Sequence, residues 1–391
     1  MFPIIEIKAG REKSLLNKHP WIFSGAVQKL PKAENGDIVE IRDKKQSLYG
    51  YGFYSPQSQI ICRIFTFTQE EMVIDQDFWL SKIENAYKLR KTYVFSQKTN
   101  AFRLIHAEGD FLPGVIADVY GKVVVMQLLI KGAEKIYQDL VAGFKSLGFA
   151  HVYLKTKDNS HFLEDLKLDK AWLTGEFEEK IIISENGLQF PIDVVKGQKT
   201  GFFIDQRDNR LLLKEYAKGK SVLNTFSYTG GFSVYALAGG ATEVHSVDIS
   251  KDAIQICDET IELNFPGDKR HASFAEDCFD YLKKKEQAYD IVILDPPAFA
   301  KNKKSVPNAA RGYISLNELG LKRVKPGGLL FTFSCSGNID RDLFRKIIFQ
   351  ASAQTGRNIR IIHQLSQPID HPVNIYHPEG EYLKGLVLYV E

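Results

Sequence analysis

With 391 residues, 44% hydrophobic and 25% charged, the chain has the composition of an ordinary soluble globular protein and room for two or three domains. The net charge of +3 is too small to argue for nucleic-acid binding by itself, so that argument must come from local clusters. No apolar run reaches the length of about 18 residues that a membrane span needs, which excludes a transmembrane protein. We see no signal peptide, and the cysteine spacing fits no metal site, so we expect reduced thiols, no bound metal and a cytoplasmic location.

Residues 1–68 form the first predicted domain and are rich in β-strands. Short apolar or alternating segments indicate strands near residues 36–43, 49–54 and 60–65. The first twenty residues carry four cations and two acids. Charge alone fits a solvated basic face, whereas the strand pattern also allows a small RNA-binding β-barrel. Both interpretations stay open at this point.

Residues 69–180 form the second predicted domain, of the α+β type. Its helical pattern begins at Asp77 and places four apolar side chains on one face: Trp79, Ile83, Ala86 and Tyr87. Strand-like runs follow at 114–118 and 123–128, then a predicted helix over about 133–147 and a strand near 152–154. The mixture of one long helix and several strands predicts a separate small domain.

The densest positive stretch of the chain lies at residues 81–103. It holds six cations and one acid, with tyrosine and phenylalanine interleaved. Such a mixture favours phosphate contacts combined with base stacking, and Lys88, Arg90 and Lys91 are the candidate RNA ligands. An amphipathic helix with its aromatic residues in the core explains the same pattern about equally well.

Residues 181–391 alternate strand and helix, which predicts a doubly wound parallel sheet. The first buried strand covers residues 222–226, and a turn ending in Gly230 and Gly231 leads into a helix. A second strand ends at Asp248, after which Ser250 caps the next helix. The whole chain is therefore expected to be of the α/β class, with a β-rich domain and an α+β domain before the doubly wound sheet.

A glycine turn after the first strand and an acid at the end of the second form a nucleoside-binding signature. The turn lacks the GxGxxG glycine spacing typical of a dinucleotide site, so the sequence favours S-adenosylmethionine over NAD as the ligand. Asp248 would accept hydrogen bonds from both ribose hydroxyl groups, and Asp277 would accept one from the adenine amino group. A simple strand-to-helix turn is the structural alternative for Gly230.

Two further apolar runs end in reactive groups. Asp295, Pro296 and Pro297 follow the run 289–294, and Cys335 follows the run 328–333. Parallel strands would deliver the acid and the thiol to the same carboxyl edge of the sheet, where open α/β sheets place their sites. A carboxylate beside a thiol suits covalent attack on a nucleobase, with sulfur as the nucleophile.

Several motifs in order give the chain a family resemblance. They are residues 19–27 (HPWIFSGAV), 103–110 (RLIHAEGD), 197–207 (GQKTGFFIDQR), 224–231 (NTFSYTGG), 370–372 (DHP) and 382–385 (YLKG). The C-terminal half resembles class I S-adenosylmethionine methyltransferases. The whole chain is similar to the large-subunit ribosomal RNA 5-methylcytosine methyltransferases, which combine a PUA domain, a central domain and a methyltransferase domain.

The resemblance implies a set of roles. Ribosomal RNA is the implied partner, Cys335 the implied nucleophile at carbon 6 of cytosine, and Asp295 the group that hydrogen-bonds the base edge near N3. Pro296 and Pro297 would stiffen the loop, and Phe299 would stack on the flipped base. The expected cofactor residues are Gln198, Phe203, Arg207, Asn224, Phe226, Ser227, Tyr228, Thr229, Gly230, Asp248, Ile249, Ser250, Asp277, Cys278 and Asp295.

Three other functions remain alternatives. A guanine N-methyltransferase shares the fold and needs no thiol, and a non-catalytic RNA-binding assembly factor could use the same domains. An NAD oxidoreductase is the most distant alternative. Homodimer formation is a further expectation. The sequence does not identify the target nucleotide.

Overall fold

The computed structural model describes residues 2–156, 165–177, 180–300 and 302–391, and these form two compact units. The first unit comprises Met1–Ile183, Ile192–Ile204 and Ile369–Gly380. The second comprises Ser184–Pro191, Asp205–Pro368 and Glu381–Glu391. The expected domain boundaries at residues 68 and 180 remain predictions.

The N-terminal part of the first unit is a six-stranded, mostly antiparallel sheet in the order β2-β6-β5-β4-β1-β3. Alternate residues of the first strand are buried, so the sheet has one face on a core that includes Ile5, Ile7 and Ile41. The elements are β1 (Ile4–Ile7), α1 (Lys13–Leu16), β2 (Trp21–Phe23), β3 (Val27–Lys29), β4 (Ile38–Arg42), β5 (Leu48–Tyr54) and β6 (Ile60–Phe67).

The rest of the first unit contains a five-stranded sheet in the order β11-β10-β9-β8-β7. Asp75 caps its long helix by accepting from the backbone N–H of Phe78, and the helix buries Trp79, Ile83 and Ala86, as the spacing predicts. The expected helix over 133–147 is two helices. The elements are α2 (Gln76–Tyr93), β7 (Ala101–His106), β8 (Val115–Tyr120), β9 (Val123–Leu128), α3 (Lys131–Lys135), α4 (Tyr137–Ser146), β10 (His151–Leu154) and β11 (Ala171–Trp172).

A two-stranded hairpin, β12 (Ile181–Glu185) and β13 (Leu188–Ile192), precedes the α/β layers of the second unit. The following elements are α5 (Arg207–Tyr216), β14 (Ser221–Thr225), α6 (Gly231–Ala238), β15 (Glu243–Asp248), α7 (Lys251–Asn264), β16 (His271–Ala275), α8 (Cys278–Lys284), β17 (Tyr289–Leu294), α9 (Val306–Lys322), β18 (Val324–Ser334), α10 (Arg341–Thr355), β19 (Ile359–Leu365) and β20 (Lys384–Val390).

The second unit is built on a seven-stranded sheet in the order β16-β15-β14-β17-β18-β20-β19. The five strands β14 to β18 are parallel to one another, and β20 is antiparallel to its two neighbours, β18 and β19. The order of the strands reverses between β14 and β17: β15 and β16 lie on one side of this point, and β17 and β18 lie on the other. Such sheets bind ligands at this point, beyond the carboxyl ends of the strands. The predicted α/β fold class is confirmed, with the alternating strands and helices where the sequence indicated them.

No helix among the described residues is both long and apolar enough to cross a bilayer.

Candidate active site

The four reactive groups expected at strand ends all lie at the carboxyl edge of the seven-stranded sheet. Asp248 is the last residue of β15, and Asp277 follows β16. Asp295 follows β17, and Cys335 follows β18. Because these strands are parallel, their carboxyl ends share one edge. The expected cofactor residues Asp248 and Asp277 and the expected catalytic residues Asp295 and Cys335 therefore lie along the same edge of the sheet.

The loop after β14 has an unusual backbone. Phe226 and Tyr228 have φ angles of +54° and +46°, and Gly230 has +80°. The left-handed region costs a non-glycine residue about 1–2 kcal/mol, and such strain persists where the surroundings fix the backbone. Glycine is required at position 230 for a second reason, because a Cβ atom there would lie 2.4 Å from Sγ of Cys257. The loop therefore approaches helix α7 closely.

Side chains at two neighbouring strand ends hold this loop in place. Asp248 accepts through Oδ2 from the N–H of Tyr228 and through Oδ1 from the N–H of Ser250, both at 2.9 Å. Sγ of Cys278 accepts from the N–H of Phe226 at 3.2 Å. A carboxylate offers about four acceptor positions, so Asp248 can orient the loop and still accept from a ligand hydroxyl.

Two buried polar atoms in the same region have no hydrogen-bond partner among the described residues. They are Oδ1 of Asn224 and Oγ of Ser227. The Asn224 amide donates to Oγ of Ser233 at 2.9 Å, which orients its oxygen. Buried polar atoms are normally satisfied, so this pair fits a site that a polar ligand completes. The residues present therefore suit S-adenosylmethionine, with Asn224 and Ser227 available to its polar groups.

The residues expected around the adenosine lie at the next strand ends. Ile249 is 72% exposed, an apolar side chain that a bound ring would cover. Asp277 is exposed and caps α8 by accepting from the N–H of Asp280 at 3.0 Å. Cys278 is buried, and burial raises the pKa of its thiol to about 12, so it is a packing residue of this loop rather than a reactive one. Thr229 is buried within the turn.

The remaining expected cofactor residues lie before β14. Gln198 is exposed and Phe203 is half-buried under the ammonium group of Lys199, and both belong to the first unit. Arg207 is buried at the start of α5 in the second unit. Their role as cofactor ligands remains a prediction.

Cys335 differs from the other three cysteines of the chain. Cys62, Cys257 and Cys278 are buried, whereas Cys335 is partly exposed. Its Sγ atom lies 3.9 Å from the carbonyl oxygen of Pro296, in the loop after β17. The thiol and the loop that carries the acid Asp295 are therefore close neighbours.

Hydrogen bonds fix the loop after β17 against the loop after β18. The hydroxyl group of Tyr313, on α9, lies 3.1 Å from Oγ of Ser334 and 3.3 Å from Oγ of Ser336, the residues that flank Cys335. Oγ of Ser336 also accepts from the N–H of Ala300 at 3.3 Å. The Phe299 ring packs on the Tyr313 ring at 4.5 Å. Sequence reasoning missed Tyr313, because a tyrosine inside a helix carries no signal of its own.

The basic segment corrects one prediction. Arg90 is fully buried and donates to both carboxylate oxygens of Asp110, at 2.5 and 2.7 Å, so it is not available to RNA. It belongs to a cluster of buried or partly buried charges, here called the Arg90 cluster: Arg90, Arg103, Asp110, Asp118 and Asp370. Lys88 and Lys91 are exposed and remain candidate RNA ligands.

The aromatic residues of this segment divide in the same way. Tyr87 and Phe102 pack in the core of the first unit. Tyr93 and Phe95, at and just beyond the end of α2, are exposed. The core interpretation of residues 81–103 is therefore confirmed for Tyr87 and Phe102, and the RNA-binding interpretation stays a prediction for the exposed residues.

Three potential metal ligands of the second unit, Cys257, Asp258 and His271, lie within 4.8 Å of one another. Nε2 of His271 is 2.8 Å from Oγ of Ser246, and its Nδ1 is 3.6 Å from Asp258. Burial raises the pKa of Cys257 to about 12, which disfavours the thiolate that binds metal. The cluster is explained by its own hydrogen bonds.

Comparisons with known proteins agree with this geometry. The profile of the S-adenosylmethionine-dependent methyltransferase family matches residues 102–380, and that of a PUA-like domain matches residues 5–67. A ribosomal RNA large subunit methyltransferase I from Alteromonas mediterranea is 44% identical, over 97% of both chains. The protein of the same name from Pseudoalteromonas atlantica is 41% identical, over 98% of both chains.

Solved structures extend the similarity to the whole fold. A methyltransferase crystallised in complex with SAH superimposes with a TM-score of 0.86 at 28% identity, and all of both chains is covered. A SAM-dependent methyltransferase from Streptococcus mutans gives a TM-score of 0.85 at 26% identity, again over all of both chains. The cofactor expected from the strand ends is thus the one on which the matched family depends. The chain belongs to the S-adenosylmethionine-dependent ribosomal RNA large subunit methyltransferase I family.

Proposed function

We propose that this protein transfers a methyl group from S-adenosylmethionine to carbon 5 of a cytosine in large-subunit ribosomal RNA, through a covalent adduct between Cys335 and carbon 6. The observation that carries the proposal is the partly exposed thiol at the end of β18, 3.9 Å from the Pro296 carbonyl in the loop that begins with Asp295. The names of the relatives supply the RNA class.

The chemistry explains why a thiol is needed. Carbon 5 of cytosine is too weak a nucleophile to attack a methyl sulfonium directly. When the Cys335 thiolate forms a bond to carbon 6, electron density moves to carbon 5, and carbon 5 forms the bond to the methyl group. When a base removes the carbon 5 proton, the electron pair of that bond forms the carbon 5–carbon 6 double bond again. The sulfur–carbon 6 bond breaks, and Cys335 leaves as the thiolate. The bound cofactor supplies an electrophilic methyl group.

The neighbouring residues have roles in holding the base. Asp295 would hydrogen-bond the base edge near N3 and favour the adduct. Pro296 and Pro297 restrict the backbone of the loop, since each fixes its φ angle. The centroids of the Phe299 and Tyr313 rings are 4.5 Å apart, and the partly exposed Phe299 would stack on a base taken out of its helix.

The cofactor would be held by the loop after β14 and by the ends of β15 and β16. Asp248 would accept from the ribose hydroxyls, and Asp277 from the adenine amino group. Oδ1 of Asn224 and Oγ of Ser227 would form hydrogen bonds with the amino-acid part of S-adenosylmethionine. Lys88 and Lys91, with the PUA-like domain, would contact RNA phosphates.

A guanine N-methyltransferase with the same fold is the nearest alternative, and one substitution separates the two. Cys335→Ala should bind S-adenosylmethionine like the wild type and transfer no methyl group to ribosomal RNA, whereas Cys62→Ala, a matched change at a buried thiol, should stay active. Bisulfite sequencing of ribosomal RNA from a deletion strain should lose one 5-methylcytosine signal, which also identifies the nucleotide. An active Cys335→Ala variant would assign the protein to N-methylation.

A non-catalytic assembly factor is the alternative from another class. Titration calorimetry with S-adenosylmethionine separates it, since such a factor has no need of the cofactor. The proposal requires binding that Asp248→Ala weakens. Absence of any binding would favour the assembly factor.

A further inference from the structure

Lys384 is a buried cation directly beside the proposed nucleophile. It is the first residue of β20, where it pairs in register with Ser334, the residue before Cys335. Its Nζ atom donates to the carbonyl oxygen of Ser336, the residue after Cys335, at 2.7 Å. A second bond, at 2.6 Å, goes to the carbonyl oxygen of Tyr382. Lys384 therefore interacts with both sequence neighbours of Cys335: it pairs with Ser334 in the sheet and donates to Ser336.

The environment of this ammonium group is unusual. The side chain is only 3% exposed, and its hydrogen-bond acceptors are two neutral carbonyl oxygens rather than a carboxylate. Buried charges are normally paired with an opposite charge, so an ammonium group that forms no ion pair with a described residue calls for a partner. Cys335, whose thiol can become an anion, lies between Ser334, the register partner of Lys384, and Ser336, whose carbonyl oxygen accepts from Nζ.

The titratable groups around Lys384 come from three further elements. Burial lowers the pKa of Lys384 to about 8, and a negative charge on Cys335 raises it more than any other group does. Glu381 also raises this pKa, but it is engaged in an ion pair with Arg341, whose own charge opposes it. Asp340 makes the smallest contribution, and its carboxylate caps α10. On the other side, Tyr313 faces Cys335 from α9, and burial raises its pKa, so it stays neutral near pH 7.

We propose that Lys384 is a positioning residue of the active site: its ammonium group holds the Ser334–Ser336 segment and favours the thiolate form of Cys335. The inference rests on the proposed role of Cys335 as the nucleophile. A cation near a thiol stabilises the thiolate, which is the attacking species. Hydrogen bonds to the carbonyl groups would at the same time fix the direction of the sulfur atom.

The effect has a defined pH range. Lys384 carries its proton below about pH 8 and loses it above. It can therefore favour the thiolate near neutral pH, and this influence fades as the pH rises past about 8. At high pH the thiol is ionised in any case, so a variant that lacks the cation should then react like the wild type.

The test is the rate of alkylation of the full-length protein by iodoacetamide as a function of pH. Cys335→Ala identifies the signal, because the other three cysteines are buried. Lys384→Met keeps an unbranched side chain, one atom shorter, and removes its charge. We expect the midpoint of its profile to move up by about 1 unit or more, which makes alkylation about tenfold slower at pH 7. Lys384→Arg, which keeps the charge, should have a profile close to that of the wild type.

Lys82→Met is the matched control. Lys82 is partly buried, has a pKa that burial lowers to about 8, and donates to the carbonyl oxygen of Phe65, but it lies in the first unit. Its removal should leave the alkylation profile unchanged.

An unchanged midpoint in Lys384→Met would overturn the inference, even if methyl transfer were lost, because a purely structural role moves the activity but not the charge of the thiol. If neither Lys384 variant folds, the wild type still decides: a midpoint at or above about 8.5, the ordinary value for a free thiol, would also overturn it. Activity in Cys335→Ala would refute the proposed function separately, without affecting what the alkylation profile says about Lys384.

Discussion

The Arg90 cluster of the first unit and the strand-end loops of the second unit are both rich in polar groups, but they differ in how these groups are satisfied. In the Arg90 cluster, Arg90 pairs with Asp110 and Arg103 pairs with Asp118. At the end of β14 and in the loop that follows it, by contrast, buried atoms of Asn224 and Ser227 have no partner among the described residues. In this comparison the end of β14, and not the Arg90 cluster, retains buried hydrogen-bonding capacity that suits a ligand.

The difference also has an energetic side. A buried ion pair that is fully hydrogen-bonded is costly to break, because removal of one partner leaves the other charge buried and uncompensated. The strained loop with left-handed Phe226 and Tyr228 instead costs energy in the folded protein, which its hydrogen bonds to Asp248 and Cys278 offset. The first arrangement is therefore costly to break, and the second fits the cofactor site that we propose.

The largest predicted effect is on folding. Arg90→Met should lower the free energy of unfolding by about 3–5 kcal/mol, because the Asp110 carboxylate is left buried without its partner. Lys91→Met, one residue further along the same helix, should change it by no more than about 0.5 kcal/mol, since Lys91 is exposed. Urea unfolding of the two variants measures both values. Equal stability of the two variants, together with weaker RNA binding by Arg90→Met, would return Arg90 to the RNA-binding surface.

A smaller effect is expected on cofactor affinity. Asp248→Ala should weaken S-adenosylmethionine binding by about 1–3 kcal/mol, because the charge-assisted hydrogen bonds to the ribose are lost. Asp252→Ala, an exposed acid in the first turn of the following helix, is the matched control and should bind normally. Titration calorimetry reports both. Unchanged affinity in Asp248→Ala would remove that residue from the site.

The smallest effect concerns the exposed lysines of α2. Lys88→Ala and Lys91→Ala should each lower the affinity for ribosomal RNA modestly and reduce the slope of log affinity against log salt by about 1, as expected when a phosphate contact is lost. Lys218→Ala, an exposed lysine just before β14, serves as the control. The measurement is a filter-binding titration at several salt concentrations. A salt slope that neither α2 substitution alters would place the RNA on another surface.

The sequence predicted the positions at strand ends well, because a buried parallel strand that ends in an acid or a thiol is a local pattern. Asp248, Asp295 and Cys335 all follow or end the expected strands. Helical spacing alone places Arg90, four residues after Ala86, on the buried face and Lys91 off it, but the partner Asp110, twenty residues away, is defined only in the fold. Lys384 was missed as a positioning candidate for a similar reason: β18 and β20 become neighbours only in the folded sheet.

The central proposal is the covalent adduct, and one denaturing gel tests it most directly. RNA that carries 5-fluorocytosine should trap the wild-type protein, because fluorine cannot leave carbon 5 as a proton does, so the sulfur stays attached to carbon 6. We predict a shifted protein–RNA band for the wild type and for Cys62→Ala, and none for Cys335→Ala. An unshifted wild-type protein that still methylates ordinary ribosomal RNA, or a shifted Cys335→Ala variant, would contradict the proposal.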